Sequence, residues 1–153
     1  MKTTTLLSTV GVSLLLSVQA AALPLVVTGF EYPGSPTTAR IQNGSPAVNA
    51  NVYAGGFLTD AGGNSFTSWC VDIFQHTHFG QTVNDYALTD GATALGAGRA
   101  DALGRLATQS LASVSNAASS GAFQLAIWEI VNETSGNAYS LTSGNFRTSS
   151  VSN

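Results

Sequence analysis

Up to residue 74 the apolar residues of this chain come in short β-branched and aromatic runs broken by glycine and proline; from residue 94 they recur at helical spacing. Strand-like runs followed by helix-like runs point to an α+β fold. "LPLVVTGFEYP" (23–33), "TTARIQNG" (37–44), "NANVYAGGFLTD" (49–60) and "NSFTSWCVDIF" (64–74) read as strands. The "AGG" at 61–63 is a link of hairpin length, and Gly55-Gly56 inside the third run marks a bulge or a close backbone approach. In the fourth run Phe66, Ser68, Cys70, Asp72 and Phe74 alternate onto one face, and Ser65, Thr67, Trp69, Val71 and Ile73 onto the other. Neither face is cleanly polar, so a central strand with Cys70 in its middle is expected. Residues 75–91 read as a loop or a pair of short strands.

The segment 94–114 predicts an amphipathic helix broken at Gly98 or Gly104. "NAASSGAFQLAIWEIVNE" (116–133) predicts a second helix, capped by Ser119 or Ser120. Its continuous face would be Ala122, Phe123, Ala126, Ile127, Ile130 and Val131, with Leu125 on the far side and Gln124 and Trp128 one turn apart on the shoulder. A helix apolar almost all round is buried. Residues 138–150 return to strand and turn chemistry. The expected architecture is an antiparallel β-sandwich or barrel with two packed helices, the Gln124 motif lying on the helical part.

Residues 1–22 have the form of a secretory signal peptide: Lys2 as the positive start, "LLSTVGVSLLLSV" (6–18) as the apolar stretch, and cleavage expected after Ala20 or Ala22. The apolar stretch is too short and too broken to span a bilayer, and no later segment does better. Residues 23–153 then make one domain, whose last residues, "SSVSN", carry no stop signal and read as a cut end or the start of a linker. Charged residues are 8% of the chain, against roughly 25% in a usual soluble domain. The formal net charge is −3, so no basic field attracts nucleic acid or anionic lipid. Lys2 is the only lysine, so the chain without its leader offers no ε-amine of its own.

Cys70 is the only cysteine in a chain that reads as exported, where thiols usually pair as disulfides. Gln124 is an equally odd residue beside a core-facing helix stripe, since an amide buried without partners costs roughly 1–3 kcal/mol. One reaction accounts for both. Attack of the Cys70 thiolate on the Gln124 carboxamide expels ammonia and leaves an internal thioester, provided the two groups are held together away from water.

"WCVD" (69–72) followed by "FQLAIW" (123–128) resembles the thioester domains of bacterial surface adhesins. Those pair an aromatic-Cys-aliphatic-Asp/Asn motif with a Gln-x-x-x-Trp helix motif. The stretch 49–146, including "NDYAL" (84–88) and "RADALGRL" (99–106), is similar to a version found in exported proteins that carry a PEP-CTERM sorting tail. The resemblance implies Cys70 as the thioester sulfur, Gln124 as acyl donor, Trp128 as a wall against water, and Asp72 as a hydrogen-bonding support. It implies a cell-surface or secreted protein that is no turnover enzyme, needs no cofactor, is monomeric, and attaches covalently to amines on a protein or matrix target. The sequence departs from the adhesins in having Phe123 where they usually carry threonine, and no PEP-CTERM tail follows. The alternative is a non-covalent surface or matrix module in which the cross-link is only structural.

Two further readings are weaker. His76 and His78 form an H-x-H pair, with Asp72, Asp85 and Asp90 nearby in sequence, but no third ligand cluster is visible and no metal is expected. A Cys70–His hydrolase would need an activated thiolate, and a cysteine in mid-strand lacks the helix N-terminus or strained elbow that supplies one.

Overall fold

The computed structural model describes residues 23–34 and 36–152; the leader-like segment lies outside them. Among the described residues seven strands form two antiparallel sheets, and three α-helices interrupt the strand order before the last strand. The four-stranded sheet runs β5 (Asn64–Ser68), β4 (Phe57–Ala61), β1 (Leu23–Phe30), β6 (Thr82–Tyr86). The three-stranded sheet runs β3 (Val48–Ala54), β2 (Thr37–Asn43), β7 (Phe146–Ser152). The arrangement is α+β and compatible with a two-sheet sandwich; the sheets do not close into a barrel. No helix among the described residues is long and apolar enough to cross a membrane.

The run 49–60 is two strands, not one. β3 belongs to one sheet and β4 to the other, and the chain crosses between them at Gly55-Gly56. A Cβ on Gly56 would lie 2.9 Å from Thr67 Cγ2 and 3.0 Å from the Trp69 ring, so the crossover needs glycine for close approach. Gly56 N–H donates to Ser120 Oγ at 2.9 Å, which ties the crossover to the third helix. The hairpin at 61–63 forms as its composition suggests: Ala61 pairs with Asn64, and Gly62 and Gly63 take φ of 61° and 86°.

The fourth run also stops early. β5 ends at Ser68 and lies on the edge of its sheet, so Cys70 is in the segment beyond the strand and not in mid-strand. With no partner on its outer side, β5 has half the ladder of a central strand, and the chain leaves it at Trp69. The alternating faces read from sequence therefore do not extend to Cys70, Asp72 and Phe74.

The helical region divides into α1 (Gly91–Leu95), α2 (Ala97–Ser110), a 3-10 turn (Leu111–Ser113) and α3 (Ala117–Asn132). The break falls at Gly96, whose φ is 85°, while Gly98 and Gly104 sit within α2. The N-cap of α3 is Asn116, not Ser119 or Ser120. Asn116 Oδ1 accepts from Ser119 N–H at 3.0 Å, and Ser119 Oγ accepts from Asn116 N–H at 3.1 Å, a reciprocal capping box.

The core lies between α3 and the three-stranded sheet. Ala39, Ile41, Ala54, Leu125, Trp128 and Phe146 form its buried cluster, with Cys70 and Ile73 packed against it. Strand β2 supplies the alternation: Thr37, Ala39, Ile41 and Asn43 are buried. The helix face is rotated from the one expected. Leu125 and Trp128 point to the core, and Ala122 is exposed.

Gly121 fixes how closely α3 approaches β2, since a Cβ there would collide with the buried Thr37 side chain. Gly121→Ala gains up to about 1 kcal/mol of helix propensity. Overpacking costs typically 1–3 kcal/mol, so a net loss of roughly 1–2 kcal/mol is expected. A lower denaturant midpoint at unchanged m-value would register it.

Beyond α3 the chain is held by two buried carboxylates. Glu133 accepts from Thr134 N–H at 2.7 Å, Asn137 Nδ2 at 2.8 Å and Asn145 N–H at 2.8 Å. The Asn137 amide, then these backbone groups against some burial, holds the Glu133 carboxyl below its usual range. Glu129 Oε1 accepts from Ser140 N–H at 2.7 Å, fastening the return toward β7.

Candidate functional site

Cys70 and Gln124 come together. Leaving β5, the chain passes Trp69, whose ring lies 4.6 Å from that of Phe123 on α3. That aromatic pair clamps the segment onto the helix immediately beside both residues of interest. Phe123, the departure from the adhesin pattern, thus has a structural task in this chain.

One residue further, the Cys70 backbone meets the Gln124 carboxamide. Cys70 N–H donates to Gln124 Oε1 at 3.1 Å, and Gln124 Nε2 donates to the Cys70 carbonyl at 2.7 Å. Gln124 is 1% exposed, in the middle of the buried face of α3 and not on its shoulder. The two bonds explain how a buried amide is tolerated. They also hold the carboxamide against the residue that carries the thiol.

The Cys70 thiol is free, half-buried, and donates to the Asp72 carbonyl at 3.0 Å. Burial pushes its pKa up, opposed by the Asp72 backbone and by the nearness of the Trp128 indole N–H, with the Asp72 charge adding to the rise. A protonated thiol without an imidazole partner is the opposite of an activated hydrolase nucleophile. The objection drawn from a mid-strand position falls away, but the thiol's surroundings argue the same way.

Asp72 supports the loop. Its carboxylate accepts from Phe74 N–H at 2.7 Å and from Gln75 Nε2 at 2.8 Å, while its carbonyl accepts the thiol's hydrogen bond. Trp128 is buried one helical turn beyond Gln124, and its indole N–H has no acceptor at hydrogen-bonding geometry. It lies close enough to the sulfur to favour the thiolate. Among the described residues no three His, Cys, Asp or Glu side chains gather as a metal cluster. His76 reaches the surroundings of Cys70, as one wall of a cavity beside it; His78 does not line that cavity.

No protein-family model, curated protein or solved structure matches the chain.

The arrangement has a definite chemical capacity. A tetrahedral adduct at Gln124 Cδ would place its negative charge on Oε1, which already faces the Cys70 N–H, a donor of the oxyanion-hole type. A thiolate at that site would be favoured by the Trp128 N–H. Sequence reasoning missed the Trp69–Phe123 clamp and the aromatic walls described below. Trp69 carried a signal as part of "WCVD"; the walls come from three separate strands and a loop and carried none.

Proposed function

We propose that this chain is an exported cell-surface domain in which Cys70 Sγ and Gln124 Cδ join as an internal thioester, used for one-time covalent attachment to amines on a target surface. The observation that carries the reading is the reciprocal pair of hydrogen bonds between the Cys70 backbone and the Gln124 carboxamide, made by a wholly buried glutamine. In the forming step the sulfur bonds to Cδ, the C–N bond breaks, and the thiol proton leaves with the nitrogen as ammonia. In the attachment step an amine nitrogen bonds to Cδ, the C–S bond breaks, and the amine's proton ends on sulfur or in solvent. Binding and release of substrate in cycles has no place in this scheme, and neither does a cofactor.

The test is incubation with methylamine. One thiol per chain should appear on denaturation, and Gln124 should carry the methylamide by peptide mass spectrometry. A chain in which Cys70 titrates fully before methylamine is added, and Gln124 stays an ordinary carboxamide, would sink the proposal. Trp128→Ala should release thiol in amine-free buffer at least about tenfold faster than wild type, the factor for a barrier lowered by about 1.4 kcal/mol. Equal rates would remove Trp128 as the wall.

The second reading, a non-covalent surface or matrix module, is favoured by one observation: the buried carboxamide is already satisfied by the backbone. There the bond, once formed, ties loop to helix and stays inert to methylamine.

A further inference from the structure

A cavity of about 370 Å³ opens beside Cys70 and Trp128, between strands of the two sheets. Four rings wall it. Phe30 lies 6.1 Å from Tyr53, 5.3 Å from Phe57 and 5.3 Å from Phe79, and Phe57 lies 6.0 Å from Phe79. These rings are not sealed in a core: Tyr53 is 60% exposed and Phe79 48%. Asp72 is the only carboxylate among the lining residues, and no arginine or lysine joins it. Trp128 also lines the cavity, and its buried indole N–H lacks an acceptor.

We infer that this cavity is the entry site for the attacking nucleophile, and that it selects primary amines carried on an apolar stem, aryl-alkyl or long alkyl, over small or hydroxylated amines. The inference rests on the proposed Cys70–Gln124 thioester for its chemistry, and on the cavity alone for its selectivity. Three features converge on that class of ligand. Partly exposed aromatic rings bury an apolar stem, at roughly fourfold in affinity per methylene removed from water. Ring faces and the Asp72 carboxylate, with no arginine or lysine in the described lining, favour an ammonium over a neutral head group. The electrophilic carbon would be bonded to the sulfur of Cys70, which lines the cavity, so a stem lying along the rings brings its nitrogen toward the acyl group. The ammonium sheds its proton to solvent before it attacks, and the products are a substituted Gln124 amide and the Cys70 thiol.

The experiment compares thiol release by phenethylamine and by methylamine at equal free-base concentration, each scaled to its rate on a small-molecule alkyl thioester. A scaled ratio of roughly tenfold or more in favour of phenethylamine is expected, which is about 1.4 kcal/mol of selective binding. Phe79→Ala should bring the ratio down toward one, while Leu88→Ala, on an exposed side chain that does not line the cavity, should leave it where it is. A scaled ratio near one in wild type would overturn the inference even if methylamine reacts as proposed.

Non-covalent binding to Cys70→Ala, which cannot form a thioester, separates the two claims. Millimolar phenethylamine should shift the Trp128 indole N–H resonance, assigned with Trp69→Phe, and methylamine should not. An unmoved resonance would overturn the cavity as a binding site whatever the fate of the thioester.

Discussion

Purified protein should weigh one ammonia less than its sequence, and Cys70→Ala and Gln124→Ala should each restore the full mass expected for their sequence. The same bond should carry a large share of the stability. It closes a loop of 53 intervening residues, 71–123, in the unfolded chain. By the chain-entropy relation for a cross-link of that span the constraint contributes about 4 kcal/mol. A domain of this size should therefore lose on the order of 10 °C in melting temperature when the bond is opened by methylamine or removed by Cys70→Ala. Cys70→Ala is the cleaner comparison, because it leaves the Cys70 backbone bonds to Gln124 available. A wild-type mass equal to the sequence mass, with the thiol fully titratable in denaturant, would reject the thioester. A mass deficit with no change in melting on opening would keep the bond but deny it a stabilising role.

Phe146→Ala should be the most damaging single truncation of the core. Phe146 is 0% exposed, pairs with Asn43 at the start of β7, and packs in the cluster that contains Leu125 and Trp128. Removing a buried phenylalanine costs typically about 3–5 kcal/mol, against a total of about 5–15 kcal/mol for a native domain. The variant should unfold at markedly lower denaturant, and it should form the thioester slowly or not at all, because the cavity it leaves opens in the same buried cluster that holds Trp128. Cavity-filling at the same place, Phe146→Leu, should recover most of both. A Phe146→Ala protein with wild-type midpoint would show that β7 is not needed to seat α3.

The strands and helices were legible where local chemistry is strong. The Gly62-Gly63 turn, the run of β2 and the helix at 117–132 follow from positive-φ glycines, β-branched alternation and an apolar period, all of which act over a few residues. The errors cluster where distant parts of the chain decide. Residues 49–60 look like one strand, yet the Gly55-Gly56 crossover sends its halves to different sheets, because Ser120 and Trp69 from elsewhere meet the chain there. The run 64–74 alternates well, yet only its first half finds a neighbour to pair with. Helix α3 is so apolar that its period cannot say which side faces the sheet, and Gly121 against Thr37 sets the rotation.

The sequence by itself determined the elements of the proposed site: one cysteine, one glutamine set a turn before a tryptophan, no lysine beyond Lys2, and the strand-then-helix order. Those are matters of residue type and spacing. Only the tertiary structure decided that Trp69 packs at a tilt against Phe123, that the Cys70 backbone grips the Gln124 carboxamide, and that four rings from β1, β3, β4 and the loop before β6 meet around a cavity that Cys70 also lines. Each of these is a contact between residues far apart along the chain. Such contacts depend on how sheets and helix pack, and local propensity carries no record of that.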